Sequence, residues 1–73
     1  MVSTEEIKAW LEEGMPNAEV SVTGDGRHFE ARVVDASFEG KSTIEQHRLV
    51  YAVLGDKVGD LIHALSLKTV IKK

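Results

Sequence analysis

An α+β domain with the element order α-β-β-α-α-β and a three-stranded sheet is predicted by three features of the sequence. These are two helix-start signatures, a period-two repeat folded about a glycine-rich turn, and a second period-two repeat at the C-terminal end. Ser3-Thr4-Glu5-Glu6 and Ser42-Thr43-Ile44-Glu45 each place a hydroxyl three residues ahead of a carboxylate. At that spacing each side chain satisfies a backbone N–H that a helix start leaves free.

The first helix is expected over about residues 4–13, with Ile7, Trp10 and Leu11 forming its apolar stripe at i, i+3, i+4. Gly14, as a left-handed cap, and Pro16, which refuses continuation, close it. Ala18, Val20 and Val22 then alternate with Glu19, Ser21 and Thr23, as in a strand with one buried face. Gly24-Asp25-Gly26 supplies positive-φ residues for a tight hairpin, so the next segment returns antiparallel. In that return strand Phe29, Ala31 and Val33 share the inner face, and His28, Glu30 and Arg32 the outer one. Residues 35–41 break the alternation and form a loop with Phe38 tucked beneath it as a plug. The second helix presents Ile44, His47, Val50, Tyr51 and Leu54 on one side and ends at Gly55. Asp56 caps a short further helix through Val58, Leu61 and Ile62, and Asp60 joins it as an acid favoured by the helix dipole. Leu65, Leu67, Thr69 and Ile71, alternating with Ser66, Lys68 and Val70, form the last strand.

With 73 residues, 42% hydrophobic and 29% charged, the chain reads as one small domain over 1–73. A domain of this size hides only about 60% of its unfolded surface, which argues against an enzyme working alone behind a deep, lidded site. There is no cysteine, hence no disulfide, thiol nucleophile or cysteine metal site, and any soft-metal chemistry must take sulfur from a partner. Nine Lys and Arg against 12 Asp and Glu give a net charge of -3, which argues against attachment to nucleic acid by bulk electrostatics. No apolar run approaches the roughly 20 residues that span a bilayer, and acids stand where a signal peptide carries Lys or Arg. A cytoplasmic protein is expected, or an organelle-matrix one if a leader has been removed.

Helices on one side of three strands leave the other sheet face available for recognition or for a weak homodimer. The two-helix crossover brings the last strand in parallel to a neighbour. That topology is the one seen in K-homology domains of the second type.

Phe38-Glu39-Gly40-Lys41-Ser42, Gln46-His47-Arg48-Leu49-Val50-Tyr51 and Ile62-His63-Ala64-Leu65-Ser66-Leu67-Lys68-Thr69 together resemble the BolA family in order and spacing, over about residues 3 to 70. Gly24-Asp25-Gly26-Arg27-His28-Phe29 further resembles its short-hairpin branch, the IbaG-like proteins of bacteria. The resemblance implies a non-enzymatic partner of monothiol glutaredoxins, in which both proteins and glutathione share a [2Fe-2S] cluster. It implies His63 as the ligand from the Ile-His-Ala string and His28 as the second, from the hairpin between the first two strands. Family members commonly continue past the last strand into another helix. The sequence here stops at Ile71-Lys72-Lys73, so a surface built by that helix is expected to be absent. The residue ahead of His47 is often basic in the family and is Gln46 here, which weakens a nucleic-acid reading that depends on it.

Each of these residues also has a plainer reading. Neutral imidazole is a good borderline ligand for iron, but a lone histidine such as His63 is more commonly a hydrogen-bonded junction residue. His28, on the open side of a hairpin, is equally readable as a solvated strand residue. His47 reads mainly as structural, one turn before Tyr51, with a partner role implied by the family string. Arg48 and Lys41 face outward near the helix start, as solvated charges or as contacts to a phosphate or an acidic partner. Lys68, Lys72 and Lys73 lie on or beyond the last strand and are expected to blunt an exposed edge or add solubility, with binding the less common reading.

The alternative function is a nucleic-acid-binding transcriptional regulator on the K-homology-like frame. Two phosphate-gripping motifs fail. Gly40-Lys41-Ser42 lacks the upstream glycine of a phosphate loop, where Asp35 stands. Gly55-Asp56-Lys57-Val58-Gly59 is one residue longer than the Gly-x-x-Gly clamp.

Overall fold

A computed structural model of the chain describes residues 2–60, 62 and 64–73, residue 60 through its backbone alone. The elements follow in the expected order: α1 (Thr4–Gly14), β1 (Glu19–Gly24), β2 (His28–Asp35), a 3-10 turn (Ala36–Phe38), α2 (Thr43–Leu54), α3 (Lys57–Asp60) and β3 (Ala64–Ile71). Leu61 and His63 lie outside the described residues.

Both capping boxes form. Ser3 Oγ accepts from Glu6 N at 3.1 Å while Glu6 Oε1 accepts from Ser3 N at 3.0 Å. Ser42 Oγ and Glu45 repeat the exchange at 3.2 and 2.9 Å. These local bonds satisfy N–H groups that the helices themselves cannot.

The sheet order is β1-β2-β3, with β1 antiparallel and β3 parallel to the central strand. Three inward rows result: Val20–Val33–Thr69, Val22–Ala31–Leu67 and Gly24–Phe29–Leu65. Against them pack Ile7 and Leu11 of α1, Phe38, Val50 and Leu54 of α2, and Ile62. Phe38 is wholly buried and fills the predicted plug position. Among the described residues no helix covers the opposite sheet face, where Ser21, Thr23, His28, Glu30, Arg32, Ser66 and Lys68 are exposed.

The apolar face of α2 differs from the expected one. Val50 and Leu54 are buried, but Ile44 is 65% exposed and Tyr51 is exposed at 38%. The third member of the inward line is Gln46, at i−4 from Val50, with 8% exposure. A polar residue takes that position because each end of its amide is paired. Nε2 donates to the carbonyls of Lys41 (2.9 Å) and Phe38 (3.4 Å), and Oε1 accepts from Thr69 Oγ1 at 2.6 Å.

The expected third helix is a single distorted turn. Val58 is extended (φ -75°, ψ 128°) and Gly59 is left-handed (φ 90°), so Asp56 has no regular helix to cap. Bonds from Gly59 N to Ile62 O (2.8 Å) and Ile62 N to Lys57 O (2.9 Å) close this turn, and Lys57 Nζ stands 5.0 Å from the Trp10 ring centre. That cation–π contact ties the turn to α1.

The glycines also divide differently. Gly26 (φ 98°) and Gly55 (φ 58°) supply left-handed backbone, the latter ending α2. Gly14 and Gly24 do not. A side chain at Gly14 would meet Val53 of α2, and one at Gly24 would come within 2.5 Å of the His28 carbonyl oxygen. Both positions require close approach and not an unusual φ.

Candidate metal-binding and partner surfaces

The hairpin between β1 and β2 determines where His28 stands. Asp25 Oδ1 accepts from the backbone N–H of both Arg27 and His28 at 2.9 Å, and Asp25 N donates to His28 O at 3.2 Å. These two N–H bonds to the carboxylate hold the Asp25 carboxyl below the usual range, and the nearby His28 charge acts in the same direction. The result is a side chain fixed at its Cα by a three-residue turn while its imidazole is exposed. In its neutral form an imidazole carries one nitrogen lone pair that can serve a metal.

His28 is the first residue of β2, and the parallel ladder sets it opposite Ala64, the first residue of β3. Ala64 directly follows His63 in the chain, and His63 itself lies outside the described residues. Among the described residues no three His, Asp or Glu side chains are grouped to hold a metal ion. Combined with the absence of cysteine, this leaves imidazole as the borderline-soft ligand the chain can offer.

The second group of expected residues lies elsewhere. The bond from Thr69 to Gln46 anchors the first turn of α2 at Thr69, five residues along β3 from Ala64, a separation of roughly 16 Å at strand rise. His47 is half-buried beside it, and Arg48 is exposed. The Lys41 ammonium donates to Ser37 O at 2.9 Å, so it satisfies a carbonyl of the 3-10 turn, and its own carbonyl accepts from Gln46. The structure therefore does not bring Lys41, His47 and Arg48 together with His28. Gln46 is the organising residue that sequence reasoning missed. Its available signal was the 46-50-54 line, matched by a polar Thr69 on the otherwise apolar face of the last strand.

The family model described as BolA-like protein matches residues 6–73. The acid stress protein IbaG of Escherichia coli is 38% identical over 64 residues, covering 86% of this chain and 76% of that protein. A BolA homologue from Coxiella burnetii superposes with a TM-score of 0.88 at 50% identity, covering 97% of this chain and 92% of the other. The BolA domain of SufE1 from Arabidopsis thaliana superposes with a TM-score of 0.80 at 28% identity, covering 97% and 95%.

Proposed function

The chain belongs to the BolA-like family, and from that premise we propose that it is a non-enzymatic adaptor that docks on a monothiol glutaredoxin and shares a [2Fe-2S] cluster as its cargo. Thiolates come from the glutaredoxin and glutathione, and this chain contributes imidazole nitrogen from His63 and His28. The observation that carries the reading is the ladder register of His28 with Ala64, the residue following His63. Two histidines serving one site must lie within a few ångström of each other. Support also comes from relatives named for acid stress and from a BolA domain within a SufE protein.

The chain's own residues do three things in this scheme. Asp25 holds the turn, Gly24 allows β1 to pass close to the His28 carbonyl, and His28 presents an exposed ring. Histidine in place of cysteine on one iron raises a cluster's reduction potential, so docking on this chain would alter cluster stability or transfer.

The test is a titration of cluster-loaded monothiol glutaredoxin and glutathione, followed by visible absorption and circular dichroism. Wild-type protein is expected to change the charge-transfer bands at one-to-one stoichiometry, and His63→Ala is expected not to. A spectrum unchanged by wild type, with no complex formed, overturns the reading and returns the nucleic-acid alternative to first place. In that event DNA affinity should fall steeply with salt. An unchanged response from His28→Ala removes His28 alone.

A further inference from the structure

The open sheet face carries a depression of about 330 Å³ where Ala31 and Leu67 are flanked in the strands by Ser21, Thr23, Glu30, Arg32, Ser66 and Lys68. Its middle row is Ser21–Arg32–Lys68, with the two cations directly opposite each other across the β2–β3 ladder. Adjacent strands are about 4.8 Å apart, and like charges directly opposite destabilise a sheet. Among the described residues neither cation is offset by an ion pair. Among the described residues the ion pair that forms is Lys72 Nζ to Glu19 Oε2 at 3.6 Å, at another row. The carboxylate in the depression, Glu30, stands opposite Thr23 and Ser66 and makes no ion pair with either cation.

We propose that this depression binds a small oxyanion, a phosphate or carboxylate group held between the Arg32 guanidinium and the Lys68 ammonium with the Ser21 hydroxyl at its side. The arrangement suits a compact dianion: two adjacent donors of positive charge, a planar fork from Arg32, and hydroxyl donors around it. Glu30 at the next row disfavours a ligand with negative charge along its whole length and favours one with a hydroxyl or ammonium beside the anionic group. This site needs no cluster and no glutaredoxin, so it can be tested independently of the function proposed above.

The experiment is a backbone amide NMR titration of the whole chain with inorganic phosphate in one arm and lactate, a carboxylate with a hydroxyl beside it, in another, at constant ionic strength. Saturable shifts are expected at Ser21, Arg32 and Lys68, with the anion also raising the melting temperature. Whichever arm saturates at lower concentration tells phosphate from carboxylate. Arg32→Gln and Lys68→Gln should each weaken binding roughly tenfold or more, the loss of one charge-assisted contact. Both changes relieve the like-charge pair, so folding should be retained and melting temperature unchanged or raised. Lys72→Gln removes the same charge elsewhere and should bind as wild type does. Linear, non-saturating shifts in both arms overturn the proposal, as does a loss in Lys72→Gln equal to that in Lys68→Gln. A third arm with a short single-stranded oligonucleotide that saturates the same amides while both small anions stay linear overturns it in favour of nucleic acid.

Discussion

Thr69 on β3 donates its hydroxyl hydrogen to Oε1 of Gln46 on α2 at 2.6 Å, joining residues 23 apart in sequence across the interior of the domain. The other end of the same amide holds the carbonyl of Lys41, so one buried side chain ties helix, loop and edge strand together. Gln46→Leu would leave the Lys41 carbonyl and the Thr69 hydroxyl without their partner. Phe38 O would still accept from Lys41 N. A loss of roughly 2–3 kcal/mol is expected, against about 1 kcal/mol for Thr69→Val. Because the two share a bond, the double variant should lose less than the sum by about 0.5 kcal/mol or more. Urea denaturation of the four proteins closes this cycle, and strict additivity would show that the bond contributes nothing to folding.

The two faces of α2 should respond oppositely to substitution. Ile44 is 65% exposed, so Ile44→Lys should change stability by no more than about 0.5 kcal/mol. Leu54 is wholly buried, and Leu54→Ala should cost about 2–5 kcal/mol. A large loss on Ile44→Lys, measured by thermal or urea denaturation, would restore the apolar stripe that the spacing alone suggests.

This contrast shows where the sequence was readable and where it was not. Both capping boxes, the hairpin at Gly24–Gly26, the Phe38 plug and the strand alternation depend on residues a few positions apart, whose chemistry is local. The inner face of α2 depends on whether Gln46 finds partners, and its hydroxyl partner arrives 23 residues later on another element. Likewise Asp56 carries a helix-start signal, but Gly59 turns left-handed and the chain leaves the helix before one is built. The pairing of His28 with Ala64 is a third such case. Alternation fixes which face a residue takes, whereas the register of a parallel pair is set by the whole crossover.

Acid should weaken the domain through the turn and cap that carboxylates hold. The Asp25 carboxyl is held low by the His28 and Arg27 N–H groups, and Glu45 by its bonds with Ser42. In the unfolded chain both return to ordinary values near 4, so the unfolded state binds protons first as pH falls. Their contribution is therefore complete above about pH 5 and is lost progressively as pH falls through the depressed folded values. The urea midpoint should fall across that range, and Asp25→Asn or Glu45→Gln should each flatten the descent. An identical slope in both variants would remove these two carboxylates as its source.

Gly24 and Gly40 should fail for different reasons when given a methyl group. At Gly24 an added Cβ would lie 2.5 Å from the His28 carbonyl oxygen and 2.7 Å from Cδ1 of Phe29, both set in the β1–β2 ladder. Neither neighbour can yield without moving the start of β2, so Gly24→Ala should cost about 1–3 kcal/mol as an overpacking change. It should also displace the amide resonances of Arg27, His28 and Phe29. Gly40 has open space around it, but its φ of 81° strains an L-residue. Gly40→Ala should therefore cost roughly 1–2 kcal/mol while leaving the His28 hairpin signals in place. The comparison also tests the hairpin's part in the proposed cluster sharing: with both variants folded, Gly24→Ala should blunt the glutaredoxin spectral response and Gly40→Ala should not. An equal response from the two would mean that the position of His28 is immaterial to that function.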